Sequence, residues 1–198
     1  MARPSPLTRR DPPAPVAWWE SRLERVLAGH SPVDDGGPGR HAAVLITLFD
    51  RHDEAHLLLT KRALHLPSHP GQISLPGGMH EPQDPSLMHT ALRETQEEVG
   101  LSPERLRVLG RLGEVNTIAS GFLVRPYVAV THDDIAPVAS DGEVARIIQV
   151  PVRRVLDIDA GLPESAGIAA LRYPIDGEDV WGATARILRL FCRVARDA

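Results

Sequence analysis

The chain has 198 residues and a net charge of −4, with 42% hydrophobic and 24% charged residues. That length can bury a real core but is short for two complete domains, and the composition excludes wholesale disorder. The negative balance, with no block of basic residues interleaved with aromatics, argues against a nucleic-acid surface.

Residues 1–15 are rich in Pro and Arg and read as a mobile arm, leaving 16–198 as a single domain with helices at its N- and C-terminal ends. No stretch approaches the roughly eighteen apolar residues of a membrane span, and the start has no secretory apolar region. The lone Cys192 excludes an intramolecular disulfide. A cytoplasmic protein without membrane attachment is the expectation.

"AWWESRLERVLAGH" predicts a helix with Trp18, Leu23, Val26 and Leu27 on one stripe and Gly29 as its stop. A loop over 31–40 leads to two apolar runs, "HAAVLITLF" and "AHLLLTKRA", which read as adjacent buried strands separated by the turn "DRHDE". Residues 66–86 hold too much Pro and Gly for regular structure beyond a short extended piece at "QISL". From Leu87 to Val99 the pattern is helical, with Leu87, Ala91 and Val99 inward and Gly100 as the stop. "RVLGRLGEVNT" and "FLVRPYVAVT" predict two more strands, followed by the polar loop "HDDIAPVASDGE". "VARIIQVPV" reads as a strand running into a short helix, "LRYPI" as a last strand, and "DVWGATARILRLFCRVA" as a closing helix. The order predicts a layered, mixed α/β domain.

"RETQEEVG" places Glu94, Glu97 and Glu98 within about one helical turn. Like charges at these offsets cost roughly 0.2 to 0.5 kcal/mol per pair in an isolated helix. A solvated face relieved by Arg93 is the plain reading. Immediately upstream, however, "LPGGMHEPQDPS" is a glycine loop that can bring backbone close to a ligand. Carboxylate ligands suit Mg²⁺ or Mn²⁺ rather than Zn²⁺, and such ions bridge carboxylates to substrate phosphates. Loop and helix together read as a metal-dependent diphosphate site. His65, His69, His80 and His89 form no zinc-type spacing and read as polar loop residues.

Residues 78–101 resemble the Nudix box, G-x5-E-x7-R-E-U-x-E-E-x-G-U with U aliphatic. Gly78, Arg93, Glu94, Glu97, Glu98, Gly100 and Leu101 match. The spacing from Gly78 to Arg93 is one residue longer than the pattern, Asp84 stands where its first Glu is expected, and Thr95 fills an aliphatic position. Residues 58–78, "LLTKRALHLPSHPGQISLPGG", are similar to the signature LLTxR[S/A]x3Rx3Gx3FPGG of the coenzyme A pyrophosphatase branch of that family, with Pro67 in place of the signature Arg and Leu75 in place of Phe.

The resemblance implies an α/β/α sandwich with a mixed sheet. It also implies hydrolysis of the diphosphate of coenzyme A or an acyl-coenzyme A to 3′,5′-ADP and 4′-phosphopantetheine. Glu94, Glu97 and Glu98 would hold Mg²⁺ or Mn²⁺, and Arg93 would orient a glutamate. The general base would be Glu97, Glu98 or Glu143. Lys61 and Arg62 are candidates for the nucleotide 3′-phosphate by charge, with an ordinary surface pair as the plain alternative. Gly71, Gln72, Gly77 and Gly78 lie in the loop that would meet the substrate. The expected partner is this small molecule, and a homodimer is compatible with the sequence. Two other functions stay open: hydrolysis of another nucleotide such as ADP-ribose or a dinucleoside polyphosphate, and a non-catalytic nucleotide-binding regulator.

Overall fold

The computed structural model describes residues 14–28, 40–117, 121–165, 167 and 170–198. Most of the N-terminal arm, the stop expected at Gly29 and most of the following loop lie outside the described residues.

Helix α1 spans Val16–Leu27 and buries Val16, Trp19, Leu23 and Leu27. The stripe therefore runs through Trp19, not Trp18, because Trp19 is in i+4 register with Leu23 and i−3 register with Val16. Trp18 is left half-buried, with the Arg22 guanidinium 4.2 Å from its ring centre.

Strands β1 (Arg40–Arg51) and β2 (Glu54–Arg62) form an antiparallel hairpin. Only His52 and Asp53 make the turn, both at positive φ, a two-residue geometry whose twist matches that of the strands. The two strands pair only near the turn. Farther on, Ala42–Val44 of β1 pair with β4 (Gly77–Met79), while Thr60 and Lys61 of β2 pair with β3 (Ile73–Ser74). The segment 73–79 is thus wedged into the opening between the two long strands. Its glycines conceal β4 from a sequence reading.

On the far edge of β1 runs β7 (Phe122–Thr131), parallel to it in register from Arg40↔Phe122 to Phe49↔Thr131. The crossover that a parallel pair requires contains α2 (Leu87–Val99). Short antiparallel strands β5 (Arg107–Arg111) and β6 (Val115–Asn116) line the other side of β7. The single strand expected over 107–117 is broken between them. β8 (Val144–Pro151) pairs with the outer edge of β2 and runs directly into α3 (Val152–Ala160). The last strand expected is joined by a partner: β9 (Tyr173–Ile175) and β10 (Glu178–Val180) form a separate hairpin before α4 (Gly182–Asp197).

Period-two alternation divides the core. Ala43, Leu45, Phe49, Tyr127 and Ala129 face α2 through Leu87, Ala91 and Val99. Ile46, Leu48, Val128 and Val130 face the opposite way, onto a layer from α1, α3 and α4 that includes Leu23, Val155, Leu188 and the buried Cys192. The result is an α/β/α sandwich around a mixed sheet. Trp181, immediately before α4, is 46% exposed, with Arg172 5.7 Å from its ring centre. Among the described residues no helix is long and apolar enough to cross a membrane.

Among the described residues the second layer buries the charges of Asp159 and Arg189, 3.9 Å apart. Asp159 accepts from the Tyr173 hydroxyl at 2.5 Å and from Arg196 Nη1 at 2.6 Å. Replacing Asp159 by Ala strands the tyrosine hydroxyl and removes the counter-charge of Arg196. Since Arg196 reaches solvent, we expect a loss of roughly 2 to 3 kcal/mol, read as a fall in melting temperature of about 5 to 10 °C. A shift under about 2 °C would show that the network contributes little.

Candidate active site

The C-terminal half of α2 carries the acidic residues, and its ends are set by local chemistry. Ser86 caps the start by accepting from the His89 backbone N–H. Gly100 ends it in the left-handed conformation, its N–H returning to the Gln96 carbonyl. Thr95, at the aliphatic position of the box, is buried and donates its hydroxyl to the Ala91 carbonyl at 2.7 Å, so the helix tolerates it there.

The three glutamates do not share one environment. Glu98 is 3% exposed and accepts from the Gly77 backbone N–H at 3.3 Å. Glu94 lies against the Cα of Gly78, so closely that a β-carbon there would stand 2.3 Å from its Oε1. Glu97 points outward, its side chain 58% exposed, and accepts from Arg93 Nη1 at 3.0 Å. Burial raises the Glu94 carboxyl above its ordinary range, against the pull of Arg93. Burial, reinforced by the charge of Glu94, pushes Glu98 up to about 8. The half-buried Glu94 and the buried Glu98 therefore repel each other without enough positive charge between them.

Arg93 is the hub on the loop side. Its Nε and Nη2 donate to Oδ1 and Oδ2 of Asp84 at 2.9 and 3.1 Å. Its Nη1 lies 3.0 Å from both Glu94 Oε1 and Glu97 Oε2, and Nη2 also reaches the Met79 carbonyl. The forked hydrogen bonds to Arg93 hold the Asp84 carboxyl well below the usual carboxylate range. Asp84 thus takes up the place of the missing box glutamate: the longer loop brings the shorter acid to the arginine. Thr90, which sequence reasoning left out, and His80, read only as a polar loop residue, join this cluster. Thr90 donates to Asp84 Oδ2, and His80 Nδ1 lies 3.0 Å from the Thr90 hydroxyl. His89, expected in a loop, is on the first turn of α2.

Two further segments close on the glutamates. The loop 132–143 is clipped to the end of α2, with the Val138 and Ser140 N–H groups donating to the Val99 and Glu98 carbonyls. Its last residue, Glu143, is exposed, lies within electrostatic reach of Glu94 and Glu98, and has its carbonyl bonded by Ala63 N. From the end of β2, the charge of Arg62 also acts on Glu98. Arg62 N donates to the Gln72 carbonyl and Gly71 N to the Arg62 carbonyl, so the loop 63–70 leaves and returns at that point.

Lys61 does not join Arg62. Adjacent strand residues project to opposite faces, and Lys61 is paired with Glu178 of β10 at 2.7 Å, with Arg146 on the same carboxylate. The two cations expected to meet one phosphate are therefore divided by the sheet.

A divalent cation fits this donor set. It consists of carboxylate oxygens alone, it includes the like-charged pair of half-buried Glu94 and buried Glu98, and oxygen ligands are what Mg²⁺ and Mn²⁺ take. Among the described residues no three acidic, histidine or cysteine side chains are grouped closely enough to hold a metal ion by themselves. Mg²⁺ does not ask for one, since it keeps several waters and binds few protein carboxylates beside substrate phosphates.

Residues 39–170 match the NUDIX domain family. The chain is 37% identical over 154 residues to a Yersinia enterocolitica protein named an uncharacterized Nudix hydrolase, NudL, spanning 75% of this chain and 78% of that protein. A Yersinia pestis protein of the same name is 37% identical over 155 residues, spanning 76% and 77%. Among solved structures, an Ap4A hydrolase of C. elegans is similar with a TM-score of 0.51 and 20% identity, over 60% of this chain and 85% of that one. A NUDIX hydrolase from Alicyclobacillus acidocaldarius gives 0.50 and 22%, over 63% and 84%. At these identities the likeness is one of fold.

Proposed function

Because the chain belongs to the Nudix family, we propose that it hydrolyses the diphosphate of coenzyme A or an acyl-coenzyme A to 3′,5′-ADP and (acyl-)4′-phosphopantetheine. The coarser statement follows from membership itself: it is a Nudix hydrolase of a nucleoside diphosphate derivative. What supports the finer one is Arg62, the arginine of the signature in residues 58–78. Its charge acts on the glutamate face, and its buried Nε has no hydrogen-bond partner among the described residues. A buried guanidinium donor left open beside acidic groups suits a phosphate oxygen.

In the reaction, water adds to one phosphorus, the bridging P–O bond breaks, and the water's proton leaves. Nudix hydrolases generally use a divalent ion such as Mg²⁺ or Mn²⁺, which when bound would neutralise the diphosphate and lower the pKa of the attacking water. Glu94, Glu97 and Glu98 are the residues to hold it. Arg93 fixes two of them. Arg62 meets the diphosphate, while Gly71, Gln72, Gly77 and Gly78 bound the loop side of the substrate. Lys61, occupied by Glu178 on the other face, supports the β9–β10 hairpin instead. Glu143 is the proposed general base, because it reaches the acidic face from a second, solvent-accessible segment.

Pro67 favours a second reading. Without the signature Arg at this position, the loop has one cation fewer for the 3′-phosphate, which ADP-ribose and dinucleoside polyphosphates lack. Incubation with coenzyme A, ADP-ribose and diadenosine polyphosphates in Mg²⁺ or Mn²⁺, with the products resolved, decides between them. Coenzyme A should be cleaved to 3′,5′-ADP and stopped by EDTA. Cleavage of ADP-ribose with coenzyme A untouched would reverse the assignment, and undiminished turnover in EDTA would remove the metal from it.

A further inference from the structure

We infer that Thr90 is a positioning residue: its hydroxyl fixes the carboxylate plane of Asp84, and through Arg93 the placement of Glu94 and Glu97. The inference rests on reading those glutamates as the cation-holding face.

A threonine inside a helix ordinarily turns its hydroxyl back onto the carbonyl four residues earlier. Thr95 does so, on Ala91 at 2.7 Å. Thr90, on the same helix and fully buried, makes that contact only at long range, 3.4 Å to Ser86 O, whereas Asp84 Oδ2 is at 2.8 Å. The shorter bond of the hydroxyl goes to the loop, not to its own helix. Having one hydrogen, which goes to Asp84, it can only accept from His80, so His80 carries its proton on Nδ1, 3.0 Å away.

The consequence is geometric. Asp84 Oδ2 receives Thr90, Arg93 Nη2 at 3.1 Å and the Glu81 backbone N–H at 3.1 Å, while Oδ1 receives only Arg93 Nε at 2.9 Å. A carboxylate held from three directions at one oxygen cannot rotate, so the planar guanidinium gripping both oxygens cannot rotate either. Its remaining nitrogen, Nη1, then has one direction left, between Glu94 and Glu97 at 3.0 Å each. Without the hydroxyl, Oδ2 is released on the helix side, and the fork with its two glutamates can swing. An aspartate has one methylene less than the glutamate of the box pattern, and the hydroxyl supplies the bracing from the helix side.

Thr90→Val keeps the shape and removes the donor; Thr90→Ser keeps the donor. Mn²⁺ affinity, measured by calorimetry on the full-length protein without substrate, should weaken about tenfold in Thr90→Val and stay within about twofold of wild type in Thr90→Ser. The ¹⁵N-resolved Arg93 Nε–H signal should broaden in Thr90→Val alone. Should Thr90→Val fail to fold, Thr90→Ala takes its place in the same titration. Unchanged Mn²⁺ affinity in the hydroxyl-less variant, or equal loss in Thr90→Ser, overturns the inference. Glu98→Gln, titrated alongside, separates the two levels. If it loses Mn²⁺ and Thr90→Val does not, only the role of Thr90 falls; if it binds Mn²⁺ as wild type does, the glutamate reading beneath it falls.

Discussion

Glu98→Gln should lower turnover by more than about a hundredfold and, in EDTA, make the protein more stable than wild type. Both outcomes come from one fact: a carboxylate 3% exposed and facing Glu94 is badly placed unless a cation sits beside it. The folded protein raises this group from the ordinary 4.5 to about 8. Below the unfolded value both states are protonated and nothing is lost. As the pH climbs from 4.5 to about 8, the unfolded chain gives up the proton and the folded one resists, so stability drains away across that window. Glutamine resembles the protonated acid and avoids the loss. At pH 8 without metal the variant should gain on the order of 2 kcal/mol, or several degrees in melting temperature, and the gain should vanish near pH 4.5. Excess Mg²⁺ should reverse the order, because only the wild type has the carboxylate for the ion to stabilise. A variant with wild-type turnover, or one less stable than wild type in EDTA at pH 8, would sink the assignment of Glu98.

The helix bearing this residue is legible in the sequence from end to end. Leu87, Ala91 and Val99 keep the helical period, and Gly100 is the stop that the structure shows in the left-handed conformation. The two long strands are legible for the same reason, as continuous runs buried on both faces. Failures occur where periodicity carries no information. Adjacent tryptophans give the α1 stripe two registers. Strand β4 is Gly-Gly-Met, with no side-chain pattern, and exists only because β1 and β2 part. Charge alone grouped Lys61 with Arg62, and alternation along a strand separates them. The contacts of Asp84 with Thr90 and Arg93 depend on a loop one residue longer than the pattern, whose path is set by contacts rather than by local preference. Residue type and position make Glu143 a candidate; its closeness to Glu94 and Glu98 is a tertiary fact, fixed by backbone hydrogen bonds from Val138, Ser140 and Ala63.

The neighbouring glycines of that loop should fail in different ways. Gly77 has φ near +151°, and a β-carbon on it would lie 2.3 Å from the Ala43 carbonyl oxygen and 2.6 Å from the Val44 Cα. Both are backbone atoms of a central strand and cannot move aside. Gly77→Ala must therefore pull β4 off β1, and with it the N–H that Glu98 accepts. A cost of about 3 kcal/mol or more is expected, lowering the melting temperature by roughly 10 °C and abolishing activity. Gly78 has an ordinary φ, and its β-carbon would meet only the end of the Glu94 side chain, at 2.3 to 2.6 Å. Gly78→Ala can keep the fold by displacing that carboxylate, so melting should change little while turnover and Mn²⁺ affinity fall. Gly113, with nothing within 4 Å of its β-carbon position, is the control: Gly113→Ala should stay within about 0.5 kcal/mol of wild type. Calorimetric melts and Mn²⁺ titrations on the three variants separate a strand contact from a ligand contact. If Gly77→Ala melts like wild type, segment 73–79 is not wedged between β1 and β2; if Gly78→Ala keeps full activity, Glu94 is not needed where the structure holds it.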